Sequence, residues 1–391
     1  MRTIGEKTAF TQRRKGDRAA LMTGLRGLGR LAFAPLVLVI AATPAMWTTA
    51  SASGARAPRT GQPAAVSLTG AGSTFDAPFF TAAFARYHQL HPAFSVSYAA
   101  VGSGAGIKGF SAGTVDFGAS DVPMTAAEQA AARGGPIVQV PVDLGAVVVS
   151  YNLDNTGGLS VPLHLTGAVL AGIYLGQISK WDDPAIRALN PDDALPDEHI
   201  TVVHRSDGSG TTYIFTNYLS SVSPAWAHGP GTSKTIKWPV GFGGNGSSAV
   251  AALLRALPGS IGYFELSYAE SENVPYAFVQ NRSGAFVPPF AANVAADASM
   301  RLDLSASSFS IVDEPGPQSY PISGYSWALL YARQPNVVTG KALVDLVEWL
   351  THAGQQVAGA HYYVPLPPAI QALARATLEG VKGPTGNVLL Q

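Results

Sequence analysis

The sequence predicts an α/β protein, and three observations lead there. Short β-branched and aromatic runs alternate with alanine-rich stretches of helical length along the body of the chain, as expected of strands exchanging with helices around a sheet. Three of the passages from strand to helix run through glycine-rich turns carrying small hydroxyl residues. Hydrophobic residues make up 47% and charged residues 13% of the 391, which provides a sizeable core and excludes intrinsic disorder for the body. At about 150 residues per domain, the length allows two to three domain-sized pieces.

Strands are expected, in order, at SVSYAAV (95–101), TVDFGAS (114–120), AVVVSYNL (146–153), TVVHRS (201–206), IGYFEL (261–266) and SWALLYA (326–332). Each is rich in residues that suit a pleated, half-buried surface. Helices are expected at 78–91, 125–134, 166–176, 210–222, 247–257 and 339–354. Thr125 with Glu128 three residues on reads as a capping box, in which side chain and backbone satisfy each other's first-turn donors. Residues 284–320, dense in proline, read as an irregular excursion, and no internal repeat is visible.

The N-terminus reads as an address. Arg13, Arg14, Lys15, Arg18, Arg26 and Arg30 precede the apolar run LAFAPLVLVIAA (31–42), and Ala50-Ser51-Ala52 offers a small-residue cleavage site. That order describes a secretory signal peptide over 1–53. The run is too short for a membrane span, which needs about 20 apolar residues. Met22 offers a later start, and Arg13-Arg14 is only a weak twin-arginine signal. Residues 54–66 read as a disordered Pro/Gly/Ala-rich tail.

Charge is uneven. The whole chain has 25 basic and 25 acidic residues, but residues 1–59 hold 10 Lys/Arg against 2 Asp/Glu. The remainder therefore carries 15 basic and 23 acidic residues, a net of −8, which argues against a nucleic-acid-binding surface. With 0 Cys there is no disulfide, thiolate zinc site, catalytic thiol or cysteine lipid anchor.

The glycine-rich turns hold the chemistry. LTGAGSTFDAPFF (68–80), AAVGSGAGIKGF (99–110) and VVHRSDGSGTTYIF (202–215) each set glycines and hydroxyls where a strand gives way to a helix. Helix N-termini present unpaired N–H groups and the positive end of a dipole, so they attract anions. The third turn adds Arg205, whose guanidinium can fork onto an oxyanion. Other patterns carry less. Gly104 to Gly109 fits G-x-G-x-x-G, but no acidic residue ends a following strand as dinucleotide binding requires, Asp121 being followed by Val-Pro-Met-Thr. Asp116-Phe117-Gly118 lacks the rest of a kinase. His88 and His91 flank a helix end and read as solvated rather than metal-ligating, and His204 reads as structural. No metal-ligand cluster or cofactor is expected.

The strings LTGAGSTFDAPFF, VGSGAGIKGF, TVDFGASDVPMT, IYLGQISKWDDPAI, HRSDGSGTTYIFTNYL, KWPVGFGGNG and LPGSIGYFELSYA together resemble the phosphate-binding receptors of phosphate-specific ABC transporters, the PstS family. The similarity runs from Leu68 to about Pro368 and is weakest between Glu270 and Tyr320. It implies a two-lobed periplasmic-binding-protein (Venus-flytrap) fold, each lobe a doubly wound α/β sheet. Lobe 1 would be 67–152 with 327–391, and lobe 2 would be 153–326. Hinges would lie near Tyr151–Leu153 and Tyr325–Ala328. Carried over by position, the resemblance implies phosphate ligands at Thr74 and Ser103 (hydroxyl and amide), Phe75 (amide), and Ser209, Gly210 and Thr211 (hydroxyls and amides). Arg205 would fork onto phosphate, Asp207 would hold that guanidinium from behind, and Asp121 would accept the proton phosphate carries. Ser73 and Gly104-Ala105 depart from the family's residue types, and the signal region lacks the lipobox cysteine.

The expected function is therefore capture of inorganic phosphate outside the cytoplasm, periplasmic or extracellular, by a monomeric receptor that delivers it to a membrane ABC permease. No enzyme activity is expected. The alternative is a secreted phosphomonoesterase on the same cradle, against which stands the absence of any recognisable Ser–His–Asp spacing or nucleophile elbow.

Overall fold

The computed structural model describes residues 65–153 and 162–390. The signal peptide expected at 1–53 and most of the 54–66 tail lie outside the described residues. Eleven strands are present among them: β1 Val66–Gly72, β2 Phe94–Ala100, β3 Phe117–Ser120, β4 Ile137–Tyr151, β5 His164–Leu165, β6 Thr201–Arg205, β7 Phe242–Gly244, β8 Ser260–Glu265, β9 Phe278–Gln280, β10 Phe286–Val287 and β11 Ser323–Tyr331. Eight form one sheet in the order β2-β1-β3-β11-β4-β8-β6-β7, and β10-β9-β5 form a small second one.

The large sheet has two halves joined by β4. Over Ile137–Ala146 this strand pairs with β11, and over Val147–Tyr151 it pairs with β8. On one side β1 runs parallel to β2 and β3, and on the other β6 runs parallel to β7 and β8. Parallel neighbours require crossover helices. These are α1 Ala77–Leu90, α2 Ser103–Ser111 and α3 Ala126–Ala130 around the first half, and α6 Gly210–Val222 and α8 Ser247–Ala256 around the second. The intervening α4 Gly167–Tyr174, α5 Pro184–Arg187 and α7 Pro224–His228 belong to the second half, and α11 Val337–Thr351 and α12 Pro368–Leu378 pack on the first. The α/β, two-lobed expectation holds, with the refinement that one strand threads both lobes into a continuous sheet.

Local sequence explains most elements. Helix α1 buries Phe79, Phe80, Ala83, Phe84 and Tyr87, the three-to-four spacing of one apolar face. Helix α3 carries the expected capping box: the Glu128 amide donates to Thr125 Oγ1, and the Thr125 amide donates to Glu128 Oε2 at 2.8 Å. It stops at Ala130, however, short of the 125–134 expected. Strand β4 begins at Ile137, well before the expected Ala146. Pro141 and Asp143 disguise its first half, and Pro141 is tolerated where the register with β11 shifts, between Ser326 and Trp327. Within the irregular stretch 284–320 lie β10, as above, and a helix, α10 Ala291–Ser299. Helix α9, Leu266–Glu272, follows β8 directly.

Candidate anion-binding cleft

Five strands point their carboxyl ends at one place. β1 ends at Gly72 and leads through Ser73, Thr74, Phe75 and Asp76 into α1; β2 leads to Ser103 at the start of α2. β3 runs out at Asp121, β6 ends at Arg205 and reaches α6 through Asp207 and Ser209, and β7 reaches α8 through Gly246. In open α/β sheets ligands collect at such strand ends, where helix N-termini converge.

All eight residues expected to bind the anion, and Asp207, lie here. Thr74, Phe75, Ser103, Asp121, Arg205, Ser209 and Thr211 are all buried. Arg205 is clamped from behind: Nε donates to Asp207 Oδ1 at 2.7 Å and Nη2 to Asp207 Oδ2 at 2.5 Å. Its remaining nitrogen, Nη1, points forward and donates to Ser247 Oγ at 3.1 Å and Thr211 Oγ1 at 3.3 Å. Asp207 also accepts the Gly246 amide at 3.0 Å. Burial alone would raise the Asp207 carboxyl, but the Arg205 guanidinium and this amide hold it below the usual range.

Groups from the two lobes touch. The Gly210 amide donates to Ser103 Oγ at 3.0 Å, and Thr74 Oγ1 lies 3.0 Å from Ser247 Oγ. The Gly104 amide donates to the Gly208 carbonyl at 2.7 Å. Gly208 approaches so closely that a Cβ on Gly104 would sit 3.1 Å from its Cα, which is why this turn needs glycines on both sides. Two expected donors have local duties. The Phe75 amide donates to Ser73 Oγ at 2.9 Å, and Ser209 Oγ caps α6 by accepting the Thr212 amide at 3.1 Å.

Asp121 faces these donors as a lone acceptor. Its Oδ1 accepts Ser326 Oγ at 2.9 Å and its Oδ2 accepts Thr211 Oγ1 at 3.4 Å. Burial pushes its carboxyl up, while the hydroxyls of Ser73, Ser326 and Thr211 and the charge of Arg205 pull the other way. Because Arg205 and Asp207 cancel, the cleft's attraction for an anion rests on helix dipoles and aimed N–H and O–H groups rather than on net positive charge.

Ser247, fully buried between Thr74 and Arg205, was not expected from the sequence. Its signal was present: GFGGNGSSAV is a fourth glycine-rich turn running from a short strand into a helix. His204 is structural, as expected, and His88, expected to be solvated, is exposed but also carries a hydrogen bond. His204 stacks on Trp238 with ring centres 4.8 Å apart, and His88 Nδ1 bonds the Phe94 carbonyl oxygen at 2.6 Å. Asp116 ties down Thr69, accepting its amide at 2.7 Å.

The PBP superfamily domain matches residues 57–353. The phosphate-binding protein PstS of Xylella fastidiosa is 40% identical over 313 residues, covering 80% of this chain and 84% of that protein. PstS of Pasteurella multocida is 40% identical over 331 residues, covering 84% and 94%. Among solved structures, a phosphate-binding protein from Stenotrophomonas maltophilia matches with a TM-score of 0.63 at 20% identity, over 80% of this chain and 94% of that one. A phosphate ABC transporter substrate-binding protein from Clostridium perfringens matches with a TM-score of 0.56 at 20% identity, over 77% and 100%.

Proposed function

This chain belongs to the PBP superfamily and, within it, to the PstS phosphate-binding proteins, and from that premise we propose that it captures inorganic phosphate and passes it to an ABC-type permease. The observation that carries the ligand assignment is the buried meeting of Arg205 Nη1, the hydroxyls of Thr74, Ser103 and Thr211, and one carboxylate, Asp121. A guanidinium and hydroxyls suit any oxyanion. The carboxylate narrows the choice, because it needs a proton from its ligand. Hydrogen phosphate keeps one near neutral pH and sulfate does not, so sulfate would leave buried acceptors facing each other.

The division into lobes at 67–152 with 327–391 and 153–326 places Thr74, Phe75, Ser103 and Asp121 on one lobe and Arg205, Ser209, Gly210 and Thr211 on the other. Phosphate is then gripped by closing the lobes about β4 and β11. The protein acts as a monomeric receptor rather than an enzyme, in line with its binding-protein relatives. It works outside the cytoplasm; among the described residues no helix is long and apolar enough to cross a membrane.

Native mass spectrometry of the purified protein should find a bound mass equal to phosphate, and calorimetric titration should show one phosphate site that sulfate does not fill. Saturable binding of sulfate in place of phosphate would overturn the assignment. Steady release of product from a chromogenic phosphomonoester would favour an enzyme instead.

A further inference from the structure

Behind Asp121 lies a second pair of carboxyls that the binding reaction does not use. Asp76 stands at the N-cap of α1, where an aspartate normally accepts a first-turn amide. Here it makes no such bond: its side chain turns inward and is fully buried. Asp143, on β4, is equally buried. No hydrogen bond of good geometry reaches the four oxygens of Asp76 and Asp143, but the two carboxyls lie against each other and Asp76 lies against the Ser326 hydroxyl. Asp143 is the cross-strand neighbour of Ser326 on β11, at the very point where the register shifts, and Ser326 donates to Asp121. Such irregularities commonly re-aim side chains next to binding sites. A line of groups therefore runs from Asp143 and Asp76 past Ser326 to the acceptor that faces the ligand.

The surroundings offer this pair no countercharge. The titratable groups packed around it are Asp121 on the loop after β3, Glu265 at the end of β8, and the phenols of Tyr98, Tyr268 and Tyr363. The nearest cation of the cleft, Arg205, is already held by Asp207. A buried carboxylate without countercharge or hydrogen bonds is strongly unfavourable, and two side by side are more so; such groups keep a proton instead. Burial, together with the charges of its neighbours, pushes both carboxyls well above the usual range.

We infer that Asp76 and Asp143 share a proton behind the cleft, and that this proton keeps Asp121 in its ionised, accepting form and sets the upper pH limit of tight phosphate binding. Were the pair fully ionised, its field would favour a proton on Asp121, turning the acceptor into a donor, and would repel the incoming anion. Asp76 and Asp143 are thus positioning residues: they act on the ligand only through Asp121 and its field. The inference rests on the phosphate assignment above.

The test compares the parent with the double variant Asp76→Asn, Asp143→Asn, whose amides cannot ionise. Phosphate dissociation constants for both are measured from about pH 6 to about pH 9.5, and their ratio at each pH cancels the titration of phosphate itself. The parent should weaken relative to the variant by roughly tenfold or more across that range, as one added negative charge behind a buried site repels the anion. Infrared difference spectroscopy of the two ligand-free proteins should show more neutral carboxylic-acid carbonyl absorbance in the parent than in the double variant, over the part that Glu265 and Asp297 contribute to both. A flat ratio, or equal neutral-carboxyl absorbance in parent and double variant at neutral pH, overturns the inference while leaving phosphate binding intact. If the double variant does not fold, Asp143→Asn alone should still lose intensity from that band, and an unchanged band there counts against the shared proton. A parent that binds no phosphate at any pH overturns the functional reading and this inference with it.

Discussion

Arg205 combines two roles in one side chain, with two nitrogens held by Asp207 and a third offered to the cleft. Charge-assisted hydrogen bonds of this kind are worth about 1.5–3 kcal/mol each. Arg205→Ala should therefore weaken phosphate binding at least tenfold by calorimetry, and Arg205→Lys should recover only part, since an ammonium cannot pair with both Asp207 oxygens and still present a third nitrogen to the cleft. An unchanged dissociation constant in the alanine variant would remove Arg205 from the site. Asp121 is expected to govern choice more than strength. Asp121→Asn keeps the shape but offers either a carbonyl or an amide, so phosphate should weaken less than with Arg205→Ala while sulfate gains measurable binding. Continued complete rejection of sulfate would place selectivity elsewhere. At this scale the sequence was informative wherever a motif was long: the residues read from HRSDGSGTT and LTGAGSTFDA all reach one cleft. Ser247 was missed because its turn carries no charged residue, and Asp143 because nothing in QVPVDLG announces a buried strand.

Elements were legible where local chemistry and tertiary demands agree. Helix α6 occupies 210–222 as expected, since a Ser cap and an apolar face coincide there. Strand β4 was half hidden because its pattern answers to two lobes and a proline-bearing irregularity rather than to one sheet. Helix α10 was missed in a stretch dominated by prolines, and it carries a consequence for stability. Its Asp297 is fully buried, and burial pushes that carboxyl up to about 9, helped by the charges of Glu314 and Asp313. A carboxyl whose folded value is raised stabilises the fold below its unfolded value and loses that contribution as pH rises through the folded one. Each such group then lowers stability by up to about 1.4 kcal/mol per pH unit between the two values. Glu265, raised by burial to about 8, acts in the same direction. The melting temperature should consequently fall between mildly acid pH and about pH 9, and Asp297→Asn should flatten part of that slope. An unaltered slope in the variant would mean that Asp297 is already ionised in the fold.

At the scale of the whole molecule, the proposed function depends on two half-sites meeting. Neither set of donors encloses an anion alone, so phosphate should draw the population toward closure by as much as its affinity for the closed form exceeds that for the open one. One bond between the lobes lies outside the cleft: Glu128, which caps α3, receives Lys234 from the other lobe at 2.5 Å, both side chains partly buried. Burial would raise Glu128, but the lysine and the Thr125 amide hold it below the usual range. If opening the cleft parts this pair, it favours closure without touching the ligand. Being part-exposed, it is worth no more than about 1 kcal/mol. Lys234→Met should therefore weaken phosphate binding by about fivefold at most, chiefly through faster release. The deficit should shrink as salt screens the pair in the parent. Small-angle scattering supplies the geometric half of the test: the radius of gyration should fall on saturation with phosphate in both proteins. The variant should need more phosphate to reach the same compaction. Identical scattering with and without phosphate would mean that the lobes do not move, and Lys234 would then be a surface charge with no bearing on binding.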